Sequence, residues 1–291
     1  KAALTGLTLE VPRGQVTALV GRNGAGKTTL IRMLLGLLPP TRGRSELLGC
    51  DSQSLTPQVR TRVGYLAEGH FLWPWMRVRD VARWQRSTFP RWDQSLFDAI
   101  LKFFDVQPQQ RVDQISRGQR AGVCLAMTLA TDPELLVLDD PSMGLDPIAR
   151  RSLVEGLLAF ARRDGRTIFI CTHLLDDVER LADRIAILGD GRLLVDAGLA
   201  DFRERVGGWL VDAGFETAEV ARIPRLIDSR QVGPHTRHLV AADPDDDTVA
   251  AVERLGGSAR REPLTLEDAV LAYLRPAAAT GSISAALENS R

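Results

Sequence analysis

A nine-residue segment near the amino terminus constrains the fold of this chain more than any other feature. Residues 21–29 read GRNGAGKTT and match the pattern GxxxxGK[ST] at every fixed position. The preceding QVTALV (15–20) is a short apolar run typical of a buried strand, and the following TLIRMLLGLL (29–38) has the apolar spacing of a helix. Strand, glycine-rich loop and helix in this order predict a P-loop unit within an α/β fold.

The residue types in this loop suit a nucleoside triphosphate and a magnesium ion. Glycines allow the main chain to curl so that successive N–H groups point at phosphate oxygens, and the following helix adds the positive end of its dipole. Lys27 would supply a cation for the outer phosphates, and the Thr28 hydroxyl would ligate Mg²⁺. A glycine-rich turn that happens to precede a helix is the alternative interpretation. The predicted nucleotide-binding residues are Gly21, Arg22, Asn23, Gly24, Ala25, Gly26, Lys27, Thr28 and Thr29.

Composition and charge limit the partners of the chain. Its 291 residues include 37 basic and 37 acidic side chains, so no net field attracts nucleic acid or an anionic membrane, and any membrane contact must be local. Cys50, Cys124 and Cys171 lack the spacing of a disulfide framework or a metal site, which favours a reduced cytosolic setting. No apolar run is long enough to cross a bilayer, and we recognise no leader. The sequence starts at Lys1 inside a strand-like stretch, so we expect some amino-terminal sequence to be missing.

Strand and helix patterns alternate from residue 1 to about residue 198. Further strands are predicted at RSELLGC (44–50), RVGYLAE (62–68), LLVLDD (135–140) and TIFICTH (167–173), with helices at about 147–161 and through LLDDVERLA (174–182). In RIAILGDGRLLVDAG (184–198) a GDG turn joins two strands. Alternation of this kind implies a largely parallel sheet covered on both faces.

The pattern weakens after residue 198, where we expect a small α+β extension over 199–275 and a disordered tail over 276–291. WLVDAGF (209–215) and RHLVAAD (237–243) have strand character, DDDTVAAVERLGG (245–257) is helical, and Thr265 with Asp268 forms a capping box. The ADPDDD run (242–247) is interpreted as a turn and a helix cap rather than a cation site. His235 and His238 lack further ligands and are interpreted as surface residues.

An aromatic-rich segment predicts a separate helical lobe over about residues 70–131. It contains nine of the sixteen aromatic residues, and because helix-spaced aromatic side chains are usually buried, most of them are expected to form the core of the lobe. Trp73 and Trp75 flank Pro74 on a loop, where helical burial does not apply, and they are candidate anchors for a partner. The nine residues are Phe71, Trp73, Trp75, Trp84, Phe89, Trp92, Phe97, Phe103 and Phe104.

Taken in order, the motifs resemble those of the ATP-binding cassette family, the nucleotide-binding subunits of ABC transporters. The resemblance covers residues 4 to about 196 and adds to the phosphate loop a signature-like ISRGQ (115–119), which ends 20 residues before Asp139. LLVLDD matches the strand that ends in the magnesium aspartate, residues 144–146 match the D-loop, and His173 matches the switch histidine. The stretch MRVRDVARWQRSTFPRWD (76–93) is further similar to bacterial cassettes that pair with separately encoded permeases, often exporters.

The resemblance implies an ATPase that works as a homodimer or heterodimer of cassettes and drives an integral membrane permease on another chain. It would be cytoplasmic and peripheral on the inner face of the membrane, with ATP and Mg²⁺ as cofactors and no nucleic acid as a partner. Thr28, Asp139 and Glu68 would bind the metal, whereas Asp140, His173 and Glu68 would carry hydrolysis. Signature and D-loop residues would complete the nucleotide site of the opposite subunit. These are Ser116, Arg117, Gly118, Gln119 and Asp146.

Three residues depart from the family pattern. Asp140 stands where a glutamate is usual and is shorter by one methylene, about 1.5 Å. Because a misplacement near 1 Å can cost roughly a hundredfold in rate, slow hydrolysis is expected. Glu68 replaces a neutral glutamine, which would strengthen a metal contact but repel phosphate oxygens. Arg117 replaces a glycine and would either approach the facing triphosphate or point to solvent.

Two alternatives remain open beside the transport ATPase. In the first, Asp140 makes hydrolysis so slow that ATP acts as a dimerisation switch in a regulatory or binding module. In the second, the chain is a soluble cassette acting in DNA repair or translation, although it has no long coiled-coil insertion, zinc motif or second cassette. The transported substance and the direction of transport cannot be read from these residues. The family's adenine-stacking residue would lie upstream of Lys1.

Overall fold

The computed structural model describes residues 2–163, 165–212, 217–233, 235–255 and 259–275. The chain divides into two compact units, Lys1–Asp196 and Ala197–Arg291, two residues before the boundary predicted after residue 198. The expected disordered tail over 276–291 lies outside the described residues.

A six-stranded sheet organises the described residues of the first unit, with the strand order β4-β5-β6-β1-β7-β8. The strands from β4 to β7 in this order all pair in parallel, and β8 follows β7 after a short turn. The prediction of a largely parallel α/β sheet is therefore confirmed. The strands are β1 (Val16–Gly21), β4 (Val63–Leu66), β5 (Leu135–Asp139), β6 (Thr167–Thr172), β7 (Arg184–Gly189) and β8 (Arg192–Gly198), with a separate hairpin of β2 (Glu46–Leu47) and β3 (Cys50–Asp51).

Several helices of this unit lie where their apolar spacing predicts them. The helix predicted at about 147–161 is confirmed, with Pro147 in its first turn. The helix after the phosphate loop is shorter than expected, because Gly36 takes a φ of +69° close to the main chain of Ser52. The helices are α1 (Lys27–Leu34), α2 (Pro57–Arg60), α3 (Val78–Thr88), α4 (Gln94–Phe103), α5 (Arg117–Ala130), α6 (Pro147–Ala161) and α7 (Leu175–Leu181), with short 3₁₀ turns at Ser52–Ser54 and Val112–Gln114.

One strand prediction needs correction. RSELLGC (44–50) was expected to be a single strand, but it contributes both β2 and the first residue of β3, which pair antiparallel. Leu48 and Gly49 connect them with positive φ values of +51° and +80°. Such angles reverse the chain direction, so an extended strand cannot continue through them.

The aromatic side chains of the helical lobe are less buried than expected. Among the nine aromatic residues between Phe71 and Phe104, Phe97 is in the core, whereas five have exposed side chains. The expectation that most of them form the lobe core is therefore wrong. Helical spacing predicts that the residues share a face but does not say whether that face is covered. The five exposed residues are Phe71, Trp73, Trp75, Trp84 and Phe103.

The second unit contains a four-stranded sheet with the order β10-β11-β9-β12. Trp209, Val211, Leu239 and Ala241 form one buried apolar cluster with residues of the adjoining helices. Four elements of this unit were not predicted, namely α8, α9, β10 and β12. The elements are α8 (Leu199–Glu204), β9 (Val206–Asp212), α9 (Thr217–Val220), β10 (Leu226–Gly233), β11 (Thr236–Ala242), α10 (Asp246–Arg254), β12 (Arg260–Glu262) and α11 (Leu266–Leu274).

A third correction concerns His238. His235 is exposed as expected, but the His238 side chain is only 4 % exposed and neither of its ring nitrogens has a hydrogen-bond partner. It lies on β11 opposite Arg230 of β10 in the register of the sheet. Burial lowers its pKa, and the nearby Arg230 charge lowers it further. The interpretation of His238 as a surface residue is wrong.

None of the helices in the described residues combines the length and apolarity that a membrane span requires. Cys50, Cys124 and Cys171 are free thiols. Burial raises the pKa of the Cys124 thiol to about 12 and that of Cys171 well above its ordinary value, so neither is a reactive thiolate near neutral pH.

Candidate functional site

The predicted site residues lie at the carboxyl ends of neighbouring parallel strands. β1 ends at Gly21, β5 at Asp139 and β6 at Thr172, and the register places Asp139 beside Cys171. Parallel strands all point their carboxyl ends to one edge of the sheet, where the connecting loops form a crevice. The loops that follow these three strands carry the phosphate-loop residues, Asp140 and His173 respectively.

The phosphate loop requires glycine for conformational and steric reasons. Gly24 has a φ of +82°, and Gly26 has a φ of +111° as the residue that caps the start of α1. A Cβ atom on Gly26 would lie 2.7 Å from Leu4 Cδ2 and 2.9 Å from the Ala3 carbonyl oxygen. These positions turn the chain tightly into the helix, so that the amino-terminal N–H groups of α1 face outward at the loop.

Lys27 lies inside the loop rather than in solvent. Its side chain is buried, and Nζ donates hydrogen bonds to the carbonyl oxygens of Gly21 at 2.8 Å and Arg22 at 3.4 Å. Main-chain carbonyls hold the ammonium group within the turn that the glycines create. A triphosphate bound in this loop would therefore meet a cation that is already placed beside it.

Asp139 and Thr28 bring two oxygen ligands together. The Thr28 hydroxyl donates to Asp139 Oδ1 at 3.3 Å, and the aspartate is only 2 % exposed. Burial raises the pKa of Asp139, the negative charges of Asp140 and Glu68 raise it further, and Thr28 and Lys27 oppose this shift. A buried carboxylate with like charges nearby is stabilised by a bound cation. The hard oxygen donors fit Mg²⁺, which binds through one or two protein ligands together with phosphate and water.

Asp140 and His173 form the second pair. Asp140 Oδ1 accepts a hydrogen bond from the main-chain N–H of His173 at 3.2 Å and lies 2.8 Å from its Nδ1. Asp140 has a φ of +43°, and its own N–H donates to the Cys171 carbonyl at 2.8 Å. Aspartate tolerates this left-handed conformation better than larger side chains do. The main-chain turn thus directs the Asp140 carboxylate to the loop after β6.

Glu68 lies on the loop after β4 with an exposed side chain. Its charge contributes to the raised pKa of Asp139, which places it in the electrostatic environment of the metal-ligand candidates. Among the described residues, no group of three His, Cys, Asp or Glu side chains has the geometry of a metal site. The carboxylates near Asp139 are consequently not a preformed metal cage, and any ion would need ligands from the nucleotide or water.

The signature-like residues begin α5 and make structural contacts of their own. Ser116 Oγ accepts from the Gln119 N–H at 3.1 Å, and Gln119 Oε1 accepts from the Ser116 N–H at 3.0 Å, which forms a reciprocal capping box. Gln119 Nε2 also donates to the Asp105 carbonyl at 2.8 Å. These bonds fix the start of the helix and of the lobe that precedes it.

The start of α5 packs closely against the start of α6. A Cβ on Gly118 would lie 2.9 Å from the Ala149 Cβ and 3.5 Å from Asp146 Oδ2, so only glycine permits this approach. Asp146 caps α6 by accepting from the N–H groups of residues 148 and 149 at 2.9 and 3.0 Å. The exposed Arg117 lies beside Gly144. These contacts bring the signature-like residues together with Gly144 and Asp146.

Two positioning contacts were not predicted from the sequence. The buried His70 lies close to the main chain of Pro141, directly after Asp140. Arg150 of α6 donates through Nε to the buried Asp177 Oδ1 of α7 at 2.8 Å, which holds the helix that follows His173. Neither residue belongs to a recognisable motif. The Gly69 turn before His70 and the acidic pair at the start of α7 are the available sequence signals.

Comparison with known sequences identifies the family to which the chain belongs. The sequence profile of the ABC transporter family matches residues 4–143. The chain is 30 % identical over 279 residues to the Nod factor export ATP-binding protein I of Rhizobium etli, covering 93 % of this chain and 88 % of that protein. It is 32 % identical over 284 residues to the daunorubicin resistance ATP-binding protein DrrA3 of Streptomyces coeruleorubidus, covering 93 % and 87 %.

Solved structures agree with this result. An ATP-binding subunit of an ABC transporter superposes with a TM-score of 0.63 at 27 % identity, covering 69 % of this chain and 86 % of that chain. The cbiO1 protein of Clostridium perfringens, part of the ABC transporter complex cbiONQ, gives a TM-score of 0.57 at 26 % identity, covering 67 % and 82 %.

Proposed function

Because the chain belongs to the ATP-binding subunits of ABC transporters, we propose that it hydrolyses Mg·ATP to energise an integral membrane permease on a separate chain. The observation that best supports hydrolysis is the pairing of two carboxylates at one sheet edge. Asp139 contacts Thr28, while the adjacent Asp140 contacts His173. One carboxylate is thus suited to a metal and the other to a water molecule.

Residues of the phosphate loop would hold the triphosphate before hydrolysis. Lys27 would exchange its loop carbonyl partners for phosphate oxygens, and the N–H groups at the start of α1 would donate to the same oxygens. Thr28 and Asp139 would hold Mg²⁺, with Glu68 close to its outer ligands. The ion would supply charge neutralisation on the two terminal phosphates.

Asp140 and His173 would act on the attacking water and on the departing phosphate. Asp140 Oδ1 already accepts from the main-chain N–H of His173 and contacts its Nδ1. Oδ2 is therefore left to accept a proton or a hydrogen bond from water. The ring is held through Nδ1, so Nε2 is the nitrogen that would face a phosphate oxygen.

The partner cassette would be a second copy of this chain or a related chain. Ser116, Arg117, Gly118, Gln119 and Asp146 lie together where α5 and α6 begin, and this surface would meet the triphosphate held by the other subunit. Arg117 is exposed and would bring a cation to that site. A single cassette would then be a poor ATPase, and turnover should rise with protein concentration.

The exposed aromatic side chains of the lobe are the candidate contact with the permease. Trp73 and Trp75 were proposed as anchors, and Trp73 packs edge-to-face against the exposed Trp84 at 5.8 Å. Exposed tryptophans of this kind suit an apolar helix of a partner. The names of relatives in Nod factor export and daunorubicin resistance favour an exporter. As the subunit of a membrane transporter, the chain would bind peripherally to the cytoplasmic face of the membrane.

Two measurements test this function. Phosphate release from Mg·ATP by the purified chain should be lost in Lys27→Ala, together with the binding of labelled nucleotide. Affinity capture from detergent-solubilised membranes should recover an integral membrane protein, and a Trp73→Ala/Trp75→Ala variant should recover less. Wild-type nucleotide binding by Lys27→Ala, or capture of ribosomes or DNA instead, would overturn the proposal.

A nucleotide-gated switch is the second candidate, because Asp140 is short and is already bonded to His173. In that case ATP would drive dimerisation with almost no turnover. Turnover with and without the reconstituted permease distinguishes the two functions. A rate that stays near zero with the permease, alongside ATP-dependent dimerisation, would favour the switch.

A further inference from the structure

One segment of the helical lobe is strongly basic and aromatic. Residues 71–92 contain five arginines and one aspartate, a net charge of +4, together with six aromatic side chains. Because the whole chain has a net charge of zero, attraction to an anionic surface can act only through a local patch such as this one. The five basic residues are Arg77, Arg79, Arg83, Arg86 and Arg91.

These arginines are presented to solvent by α3 and the residues around it. All five are exposed, and the Arg83 side chain keeps 79 % of its surface accessible. The buried positions of α3 are the apolar Val78, Val81 and Ala82. The helix therefore packs its apolar residues into the lobe and leaves its basic residues outside.

Among the described residues, neighbouring carboxylates offset only part of this positive charge. Arg79 and Arg83 share Asp80, with nitrogen-to-oxygen distances of 3.7 Å for each, and Arg91 Nη1 lies 3.8 Å from Glu134 Oε1. Exposed ion pairs at such distances contribute little free energy. The arginines therefore lose little when they turn to another anion.

Three of the arginines line one groove between α3 and α4. Arg79, Arg83 and Arg86 are spaced i, i+4 and i+7, so they share one side of α3. With Asp98 of α4 they line a cavity of about 210 Å³. Three guanidinium groups against Asp80 and Asp98 leave this side of the helix with an excess of positive charge, which suits a phosphate group.

An exposed tryptophan lies on the same helix. The Trp84 side chain is 58 % exposed and packs against Trp73, the loop residue assigned to the permease contact. Tryptophan is enriched where a bilayer meets water, because its ring is apolar and its N–H is polar. A permease on the loop at Trp73 would bring α3 next to the surface of the bilayer.

We propose that α3 docks on the surface of an anionic phospholipid bilayer, with Arg79, Arg83 and Arg86 on the headgroup phosphates and Trp84 at the interface. The inference takes its membrane location from the proposed function, but it requires neither the permease nor hydrolysis. Several basic side chains together with an exposed aromatic residue give reversible attraction to anionic lipid.

Two arginine variants with the same loss of charge test the surface. Arg83→Gln/Arg86→Gln removes two charges from the groove. Arg162→Gln/Arg180→Gln is the matched control, because it removes two exposed charges near the ends of α6 and α7. Both are made in the full chain, and their thermal unfolding midpoints and binding of labelled nucleotide are recorded to show that the fold is intact.

Co-sedimentation with vesicles measures binding. Wild type should bind vesicles of phosphatidylcholine with phosphatidylglycerol and not vesicles of phosphatidylcholine alone, and about 1 M salt should release it because the screening length falls to about 3 Å. Arg83→Gln/Arg86→Gln should bind about 25-fold more weakly, since each basic residue near an anionic membrane contributes a factor of about five. The control should stay within about twofold of wild type.

Anionic vesicles should also shift tryptophan emission to shorter wavelength, and Trp84→Phe should reduce the shift. An unaltered shift in Trp84→Phe would overturn the place of Trp84 at the interface. Equal binding to both kinds of vesicle, binding to neither, or equal losses in the two arginine variants overturns the inference. Tighter binding of a single-stranded oligonucleotide than of anionic vesicles also overturns it. Failure to capture a permease with vesicle binding intact counts against the proposed function alone.

Discussion

Asp140 Oδ1 lies 2.8 Å from His173 Nδ1 and accepts the main-chain N–H of the same residue at 3.2 Å. One carboxylate oxygen thus fixes both the ring and the main chain of the histidine. Asp140 is shorter than the usual glutamate, which led us to expect slow hydrolysis. The short side chain also suits the left-handed turn in which Asp140 lies. Asp140 is therefore both the candidate base and the support of His173.

Replacement of Asp140 by asparagine should abolish steady-state hydrolysis while ATP binding is kept. Asparagine tolerates the φ of +43° and still accepts the His173 N–H, so the geometry survives and the charge is lost. General-base catalysis contributes roughly a hundredfold to ten-thousandfold, and the rate should fall within that range. Phosphate release and labelled-nucleotide binding are measured on the same preparation.

Asp98→Asn on the exposed surface of α4 is the control for Asp140→Asn and should be silent. Unchanged turnover in Asp140→Asn would show that Asp140 is not the residue that orients the water. Parallel loss of nucleotide binding would instead mean that the substitution disturbs the neighbouring Asp139.

Gly26→Ala and Gly24→Ala should differ, although both change a glycine of positive φ in the phosphate loop. Alanine at Gly24 would be strained by about 1 kcal/mol because of the positive φ, and its Cβ would meet no atom within 4 Å. Alanine at Gly26 would be strained by a φ of +111° and would also meet Leu4 and the Ala3 carbonyl. We expect Gly26→Ala to lose ATP affinity by at least about tenfold more than Gly24→Ala in equilibrium binding. Equal affinities would contradict the described loop.

The elements that can be predicted from the sequence are those determined by residues that lie close together along the chain. The helix at Pro147–Ala161 is predicted because proline and the apolar period act together, and Asp139 falls at the end of an apolar strand. Strand ends and loop glycines follow from short-range patterns. The phosphate loop and the carboxylate pair could therefore be placed before the structure was known.

Residues that depend on distant neighbours could not be predicted. His238 is buried between β10 and β9 in the sheet, and β10 carries no clear alternation in its sequence. The buried His70 has Pro141, far along the chain, as a neighbour. Trp84 has helical spacing like Phe97, yet Phe97 is buried and Trp84 is exposed. Sequence spacing gives the face of a helix but not the surface that covers it.

The stability of the chain should fall as the pH is lowered from about 7.5 to 5.5. Burial and the Arg230 charge lower the pKa of His238 in the folded state, while Asp268, Glu262 and Asp228 oppose the shift. The unfolded chain therefore takes up the proton first as the pH falls through the ordinary histidine pKa of about 6.5, so protonation favours unfolding. This contribution to stability is present above that pH and lost below it.

His238→Leu should reduce this pH dependence, as measured by thermal unfolding midpoints of the full chain. Part of the dependence should remain, because burial also lowers the pKa of His70. Asp268 has a lowered pKa and loses its contribution at more acidic pH, outside this window. An unchanged slope between pH 7.5 and 5.5 in His238→Leu would contradict the assignment, and His235→Leu at an exposed position is the control.

Arg150→Met should destabilise the chain and slow hydrolysis together. The substitution leaves the Asp177 carboxylate, 2 % exposed, without its 2.8 Å partner, and it also frees the helix that follows His173. Breaking a buried ion pair costs about 3–5 kcal/mol, but the Arg150 side chain is 26 % exposed to solvent, so we expect about 1–2 kcal/mol. Adding Asp177→Asn removes the unpaired charge and should recover part of the loss. A double-mutant cycle on the unfolding free energy measures the coupling, and a coupling near zero would show that Arg150 does not hold α7 in place.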